Sequence, residues 1–144
     1  IVHCGNPKVA LETIRFAVEQ DALSRVIIGS DAPTGSGVIP LAMLRMCNFL
    51  SILSPISPEQ CLCLCTGNAG RLFGLNRGEI RPGTEADLIV MDAPVGSVGE
   101  TALAAIEAGD IPGVSMVLVD GEIKAMKSRN TAPATRQVRI SSND

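Results

Sequence analysis

Asp31 is the residue of this chain best placed to do chemistry. It follows Arg25-Val26-Ile27-Ile28-Gly29-Ser30, where three consecutive β-branched residues read as a strand buried on both faces, as in a parallel sheet. The run Ala32-Pro33-Thr34-Gly35-Ser36-Gly37 then breaks regular structure before a further apolar helix. In α/β sheets and barrels, chemistry collects at the carboxyl ends of the strands. An aspartate there can serve as a general acid or base, or as a metal ligand. The same residue could equally be a turn or capping aspartate after a core strand. His3, the only histidine, closes the short apolar run Ile1-Val2. It can face a substrate or make a structural hydrogen bond. One histidine and one aspartate do not complete a zinc hydrolase centre, which needs several imidazole or carboxylate ligands.

Other candidates are weaker. Cys61-Leu62-Cys63-Leu64-Cys65 invites a metal, but on a helix Cys61 and Cys65 share a face while Cys63 points elsewhere. No CxxC or neighbouring histidine completes such a site, so these cysteines read as small buried hydrophobes. Cys4 and Cys47 have no local general base in sequence to activate a thiol. Gly35-Ser36-Gly37 before a helix resembles an anion cradle but lacks the lysine of a P-loop and the GxGxxG spacing. No serine stands in a G-x-S-x-G elbow. Asp87, Asp92 and Asp120 fall in or beside strands and turns, where ordinary turn and edge roles account for them.

The elements that must position Asp31 can be read in order. Ile1 to Cys4 is the end of a strand, and Asn6 with Pro7 caps and opens a helix reaching about Ala22. The strand ending at Gly29 completes a βα unit of a parallel architecture. A buried helix is predicted over 38–53, and Ser57-Pro58-Glu59-Gln60 starts another by serine cap, proline and glutamine. After a break at Thr66-Gly67-Asn68-Ala69-Gly70 and turn chemistry over 77–83, the pattern changes. A strand over 86–92, an alanine-rich helix over 98–108, and a hairpin turning at Asp120-Gly121 between strands 114–119 and 122–126 follow. Three parts result: residues 1–76, the end of an α/β unit; 77–127, a small β-rich unit; and 128–144, a surface segment or frayed tail. Because the chain opens within a strand on Ile1, it is expected to be the carboxyl-terminal part of a larger protein.

Composition limits the function classes. The chain has 144 residues, 46% of them apolar and 19% charged, enough for a globular domain with a core. Three Phe with no Trp or Tyr argue against stacking platforms for single-stranded nucleic acid. A net charge of −3 and a pI near 5.1 argue against a phosphate-binding surface, so no nucleic-acid partner is expected. The most apolar stretch, 38–53, is too short and too polar to span a bilayer, and no membrane partner is expected. Five cysteines without a disulfide pattern, and no visible secretory signal, fit a reducing cytoplasm.

Taken together, the segments resemble the carboxyl-terminal part of the amidohydrolase superfamily of metal-dependent hydrolases. The match runs from Thr66-Gly67-Asn68-Ala69 through Gly74-Leu75 to Gly78-Glu79-Ile80-Arg81-Pro82-Gly83-Thr84-Glu85-Ala86-Asp87-Leu88-Ile89-Val90-Met91-Asp92. That stretch is similar to the family's threonine–asparagine–alanine helix followed by G-x-I-x-P-G-x-x-A-D-L-I-V-x-D. Val117-Leu118-Val119-Asp120-Gly121 resembles the hairpin that closes the family's accessory sandwich. Within the superfamily, His3-Cys4-Gly5-Asn6-Pro7-Lys8 and Gly29 to Gly37 look most like the enamidases, which open a cyclic enamide ring.

The resemblance implies an α/β fold: strands seven and eight of a (β/α)8 TIM-like barrel with their helices, followed by part of a small β-sandwich. It implies that Asp31 is the metal-binding aspartate at the end of the eighth strand, which takes a proton from the attacking water and passes it to the leaving nitrogen. A metal lowers the pKa of bound water from roughly 16 toward 7, and a nearby carboxylate can then accept its proton. His3, Pro33 and Ser36 become substrate-side candidates. The implied cofactor is a divalent metal, zinc, or iron in a binuclear site, and the implied substrate a small cyclic amide or enamide. As a full-length protein a homo-oligomer is implied. The family's H-x-H pair and its ligands from the middle strands have no counterparts here, so the isolated chain is expected to be inactive. A deaminase, a cyclic imide hydrolase or a non-catalytic scaffold of the same superfamily are the alternatives.

Overall fold

A helix crossing between two short parallel strands sets up the edge on which Asp31 stands. The computed structural model describes residues 1–3, 5–33 and 37–141. Strand β1 (Val2–His3) pairs in parallel with β2 (Ile28–Gly29), in the register Val2↔Ile28 and His3↔Gly29. Helix α1 (Pro7–Glu19) connects them; Asn6 caps it by accepting the Val9 amide at 3.2 Å, with Pro7 at the first turn. Ala10, Ile14 and Ala17, one turn apart on a single face, are its buried residues. Val26 and Ile27, predicted to lie in the strand, are buried but only Ile28 and Gly29 are assigned to it, because β1 offers a two-residue partner.

Two helices pack against β2, and a third packs on the second of them. They are α2 (Ala42–Leu53), α3 (Pro58–Cys65) and α4 (Gly67–Phe73). Helix α2 begins four residues later than its apolar run suggests, because Leu41 sits at φ 59, a left-handed conformation that interrupts the helix. Helix α3 carries the full reciprocal capping box: Ser57 Oγ accepts the Gln60 amide at 3.3 Å and Gln60 Oε1 accepts the Ser57 amide at 2.8 Å. Ile14, Met46, Cys47, Leu50, Cys61 and Leu64 form the centre of the core.

The second part is a three-stranded antiparallel sheet in the order β3 (Leu88–Asp92), β4 (Gly113–Val119), β5 (Glu122–Ala125). The hairpin between β4 and β5 turns on Asp120 and Gly121, with φ 52 and 77, as the sequence suggested. Helix α5 (Ala102–Ala108) starts after Thr101, whose side chain accepts the Ala104 amide at 3.2 Å. The helix therefore begins at this cap and not at Val98. Asn48 of α2 donates to the carbonyls of Ile106 and Asp110, at 3.1 and 3.3 Å, fastening α5 to α2.

Of the two readings of the segment after residue 127, a surface segment or a frayed tail, residues 131–137 follow the first, being pinned to the sheet. The amide of Val95 donates to Pro133 and that of Thr135 to Ala93, at 2.9 and 2.8 Å, around a Pro94↔Ala134 bridge. Thr131 Oγ1 accepts the Val114 amide at 3.2 Å. Arg136 clamps the buried Asp92 with two guanidinium hydrogen bonds, 2.7 and 2.6 Å, plus its own amide at 3.0 Å. Asp92 is therefore more than an edge aspartate.

Candidate active site

The parallel register puts His3 opposite Gly29, so both strands end on the same carboxyl edge. Asp31, two residues past β2, adopts φ 58. Aspartate is among the few residues that enter this left-handed region at modest cost. The result brings Asp31 Oδ2 to 3.4 Å from His3 Nδ1. The two side chains are 34% and 29% exposed, so the pair is open to solvent on one side. His3 Nδ1 also accepts the Gly5 amide at 3.2 Å. These contacts ask opposite things of the nitrogen. The Gly5 amide needs its lone pair, whereas donation to the carboxylate needs a proton there. At 3.4 Å the carboxylate contact is mainly electrostatic. Ser30 Oγ accepts the Ala32 amide at 3.3 Å, shaping the turn beneath Asp31.

Of the remaining sequence candidates, Pro33 is exposed and follows a cis peptide from Ala32. Ser36 lies outside the described residues, as do Thr34, Gly35 and Cys4. Asp31 suits a divalent metal as a single hard oxygen donor. Among the described residues no group of three His, Cys, Asp or Glu side chains converges to hold one. The helix divides these thiols between faces, but only Cys61 is a buried hydrophobe as expected: Cys63 is exposed and Cys65 half-buried, because the short helix α3 turns that side outward. No helix among the described residues is long and apolar enough to cross a membrane.

The Thr-Gly-Asn-Ala segment braces the chain entering β2, at the opposite end of the strand from Asp31, a role not apparent from the sequence. Asn68, 4% exposed, donates to the carbonyls of Leu23 at 3.1 Å and Val26 at 2.8 Å, which flank the approach to β2. Its Oδ1 accepts from Arg71 Nη2, and Arg71 Nη1 meets Glu79 Oε1 at 3.0 Å. Gly70 and Gly78 lie where α4 meets the following turn. A Cβ on Gly70 would fall 2.2 Å from the Arg77 carbonyl oxygen, and one on Gly78 2.4 Å from that of Thr66. Only glycine permits such an approach. Arg77 then reaches Glu85, Asp87 and Asp120, and Asp87 accepts the Asp120 amide at 2.9 Å. The motif from 66 to 87 thus joins the helical part to the hairpin.

Comparison with known proteins supplies the family. The model of the amidohydrolase family matches residues 15–125. The chain belongs to the amidohydrolase family. It is 57% identical over 141 residues to the enamidase of Eubacterium barkeri, covering 97% of this chain and 36% of that protein. The crystal structure of an enamidase superposes with a TM-score of 0.91 at 55% identity, over 95% of this chain and 36% of the other. The guanine deaminase of E. coli superposes at 0.57 with 22% identity, over 87% and 33%, which shows the shared mixed α/β fold. The chain thus spans about a third of the length of the amidohydrolases it matches.

Proposed function

We propose that this chain contributes the carboxyl-terminal part of an enamidase-like, metal-dependent hydrolase acting on a non-peptide C–N bond, in a cyclic amide or enamide. The observation that carries the reading is Asp31. It stands at the carboxyl edge of a parallel strand pair beside His3, in a chain 57% identical to an enamidase across nearly its whole length. On this reading β1 and β2 are the last two barrel strands, residues 77–127 belong to the accessory sandwich, and the remaining metal ligands come from outside residues 1–144.

Amidohydrolases are typically metal-dependent, and a bound divalent ion, zinc or iron, would supply Lewis acidity toward water and the substrate carbonyl. Asp31 would offer it one carboxylate oxygen. The other oxygen would accept a proton from the attacking water and return it to the departing nitrogen. His3 is placed to steady that carboxylate when it carries a proton on Nδ1, and to bind substrate through its exposed face. Pro33 and Ser36 remain substrate-side candidates. A homo-oligomeric assembly is proposed for the full-length protein.

The test is a chimera in which this chain replaces the matching 36% of the Eubacterium barkeri enamidase. A folded chimera should hydrolyse a cyclic enamide, lose activity on chelation and regain it with divalent metal. A folded, metal-loaded chimera without hydrolysis would refute the reading. The isolated chain should be inactive.

A further inference from the structure

Helices α2 and α3 bring two thiols together that the proposed chemistry does not use. Cys47 Sγ and Cys65 Sγ lie 3.3 Å apart, across a sequence separation of 18. That is closer than two sulfurs at ordinary van der Waals contact, against a disulfide bond of roughly 2 Å. Their exposures differ. Cys47 is fully buried, whereas Cys65, on the last turn of α3, is partly open to solvent.

We infer that Cys47 and Cys65 form an oxidisable dithiol, which hydrogen peroxide converts to an intramolecular disulfide joining α2 to α3. Cys65, the accessible partner, attacks the peroxide as thiolate. An S–O bond forms and the O–O bond breaks, leaving a sulfenic acid and hydroxide. Cys47 then attacks that sulfur; the S–S bond forms, the S–O bond breaks, and the Cys47 proton leaves with the departing oxygen as water. In sum two thiols lose two electrons and two protons, and one peroxide becomes two waters. The Cys47 thiol is pushed well up, first by its hydrogen bond to Cys65 and then by burial. It therefore stays protonated until the sulfenic acid beside it presents an electrophile.

The neighbouring cysteines provide internal controls. Cys61 is fully buried and pushed up to about 12 by burial, so it is inert. Cys63 is exposed and points away, with its sulfur 3.7 Å from Asn68 Oδ1. It should oxidise without joining Cys47.

The experiment treats the folded full chain, dilute, with excess hydrogen peroxide, then blocks remaining thiols with iodoacetamide in denaturant. Trypsin and a glutamate-specific protease cut after Arg45, Glu59 and Arg71, separating Cys47 from Cys61, Cys63 and Cys65. Mass spectrometry should find the peptides 46–59 and 60–71 joined through Cys65, with the link lost on reduction. Cys65→Ser should leave Cys47 fully alkylated, and Cys61→Ala should keep the link. The inference is overturned if Cys47 stays alkylatable after Cys63 is consumed, or if its partner is Cys61 or Cys63. The unsubstituted chain alone decides this, whatever the folding of the variants.

Discussion

Replacing Asn68 with alanine should remove the brace on the chain entering β2, and its cost can be worked from the bonds to Leu23, Val26 and Arg71. Asn68 is 4% exposed, so water does not replace what is lost. The Leu23 carbonyl also accepts the Val26 amide at 3.0 Å and keeps that partner. The Val26 carbonyl, 2.8 Å from Asn68 Nδ2, loses its bond inside the core. Stranding one such buried acceptor costs about 1–3 kcal/mol, and losing the Leu23 and Arg71 bonds adds about 0.5–1.5 kcal/mol each. The expected loss for Asn68→Ala is therefore about 2–6 kcal/mol, a substantial share of a stability of about 5–15 kcal/mol. Urea unfolding of the full chain, followed by far-ultraviolet circular dichroism, measures it. Arg71→Ala, which removes only the half-exposed partner, should cost about 1 kcal/mol or less. A loss below about 1 kcal/mol for Asn68→Ala would refute the assigned role.

Gly70→Ala should cost about 1–3 kcal/mol or more in the same assay, because its Cβ would meet the Arg77 carbonyl at 2.2 Å; an unchanged midpoint would contradict the close approach. Ser51→Ala should be neutral or stabilising by up to about 1 kcal/mol, since the Ser51 hydroxyl is buried with no partner among the described residues. A clear loss there would reveal a hydrogen bond. Hydrogen bonds from Arg136 hold the Asp92 carboxyl well below the usual carboxylate range. Its folded pKa is depressed, so its stabilising contribution is complete above the unfolded value near 4 and is lost as pH falls toward the folded one. Arg136→Ala should flatten the acid limb of stability against pH below about 4, and an unaltered limb would show the clamp to be idle.

What could be read from the sequence was local. Asn6-Pro7, Ser57 to Gln60 and Asp120-Gly121 each carry their structure within four residues, and the structure reproduces the caps and the turn. Asp31 was placed at a strand end by the β-branched run before it, and it does lie just past β2. What escaped depended on distant partners. The tail is held by bonds such as Arg136 to Asp92, 44 positions apart, which no local pattern reports. Helix α2 starts late because Leu41 takes a left-handed conformation that an apolar residue rarely adopts. The Cys47–Cys65 approach and the Asn68 contacts to Leu23 and Val26 likewise arise from packing between elements. The parallel register that brings His3 to Asp31 needed both strands in place.

The most direct test of the proposed chemistry is the turnover of Asp31→Asn in the enamidase chimera, compared with the unsubstituted chimera. Asparagine keeps the size and can accept a hydrogen bond, but it cannot take up a proton at neutral pH. If Asp31 is the proton acceptor and a metal ligand, kcat should fall by at least about 10²–10⁴-fold while circular dichroism and the urea midpoint stay nearly unchanged. A folded Asp31→Asn chimera turning over at the unsubstituted rate would contradict the assignment.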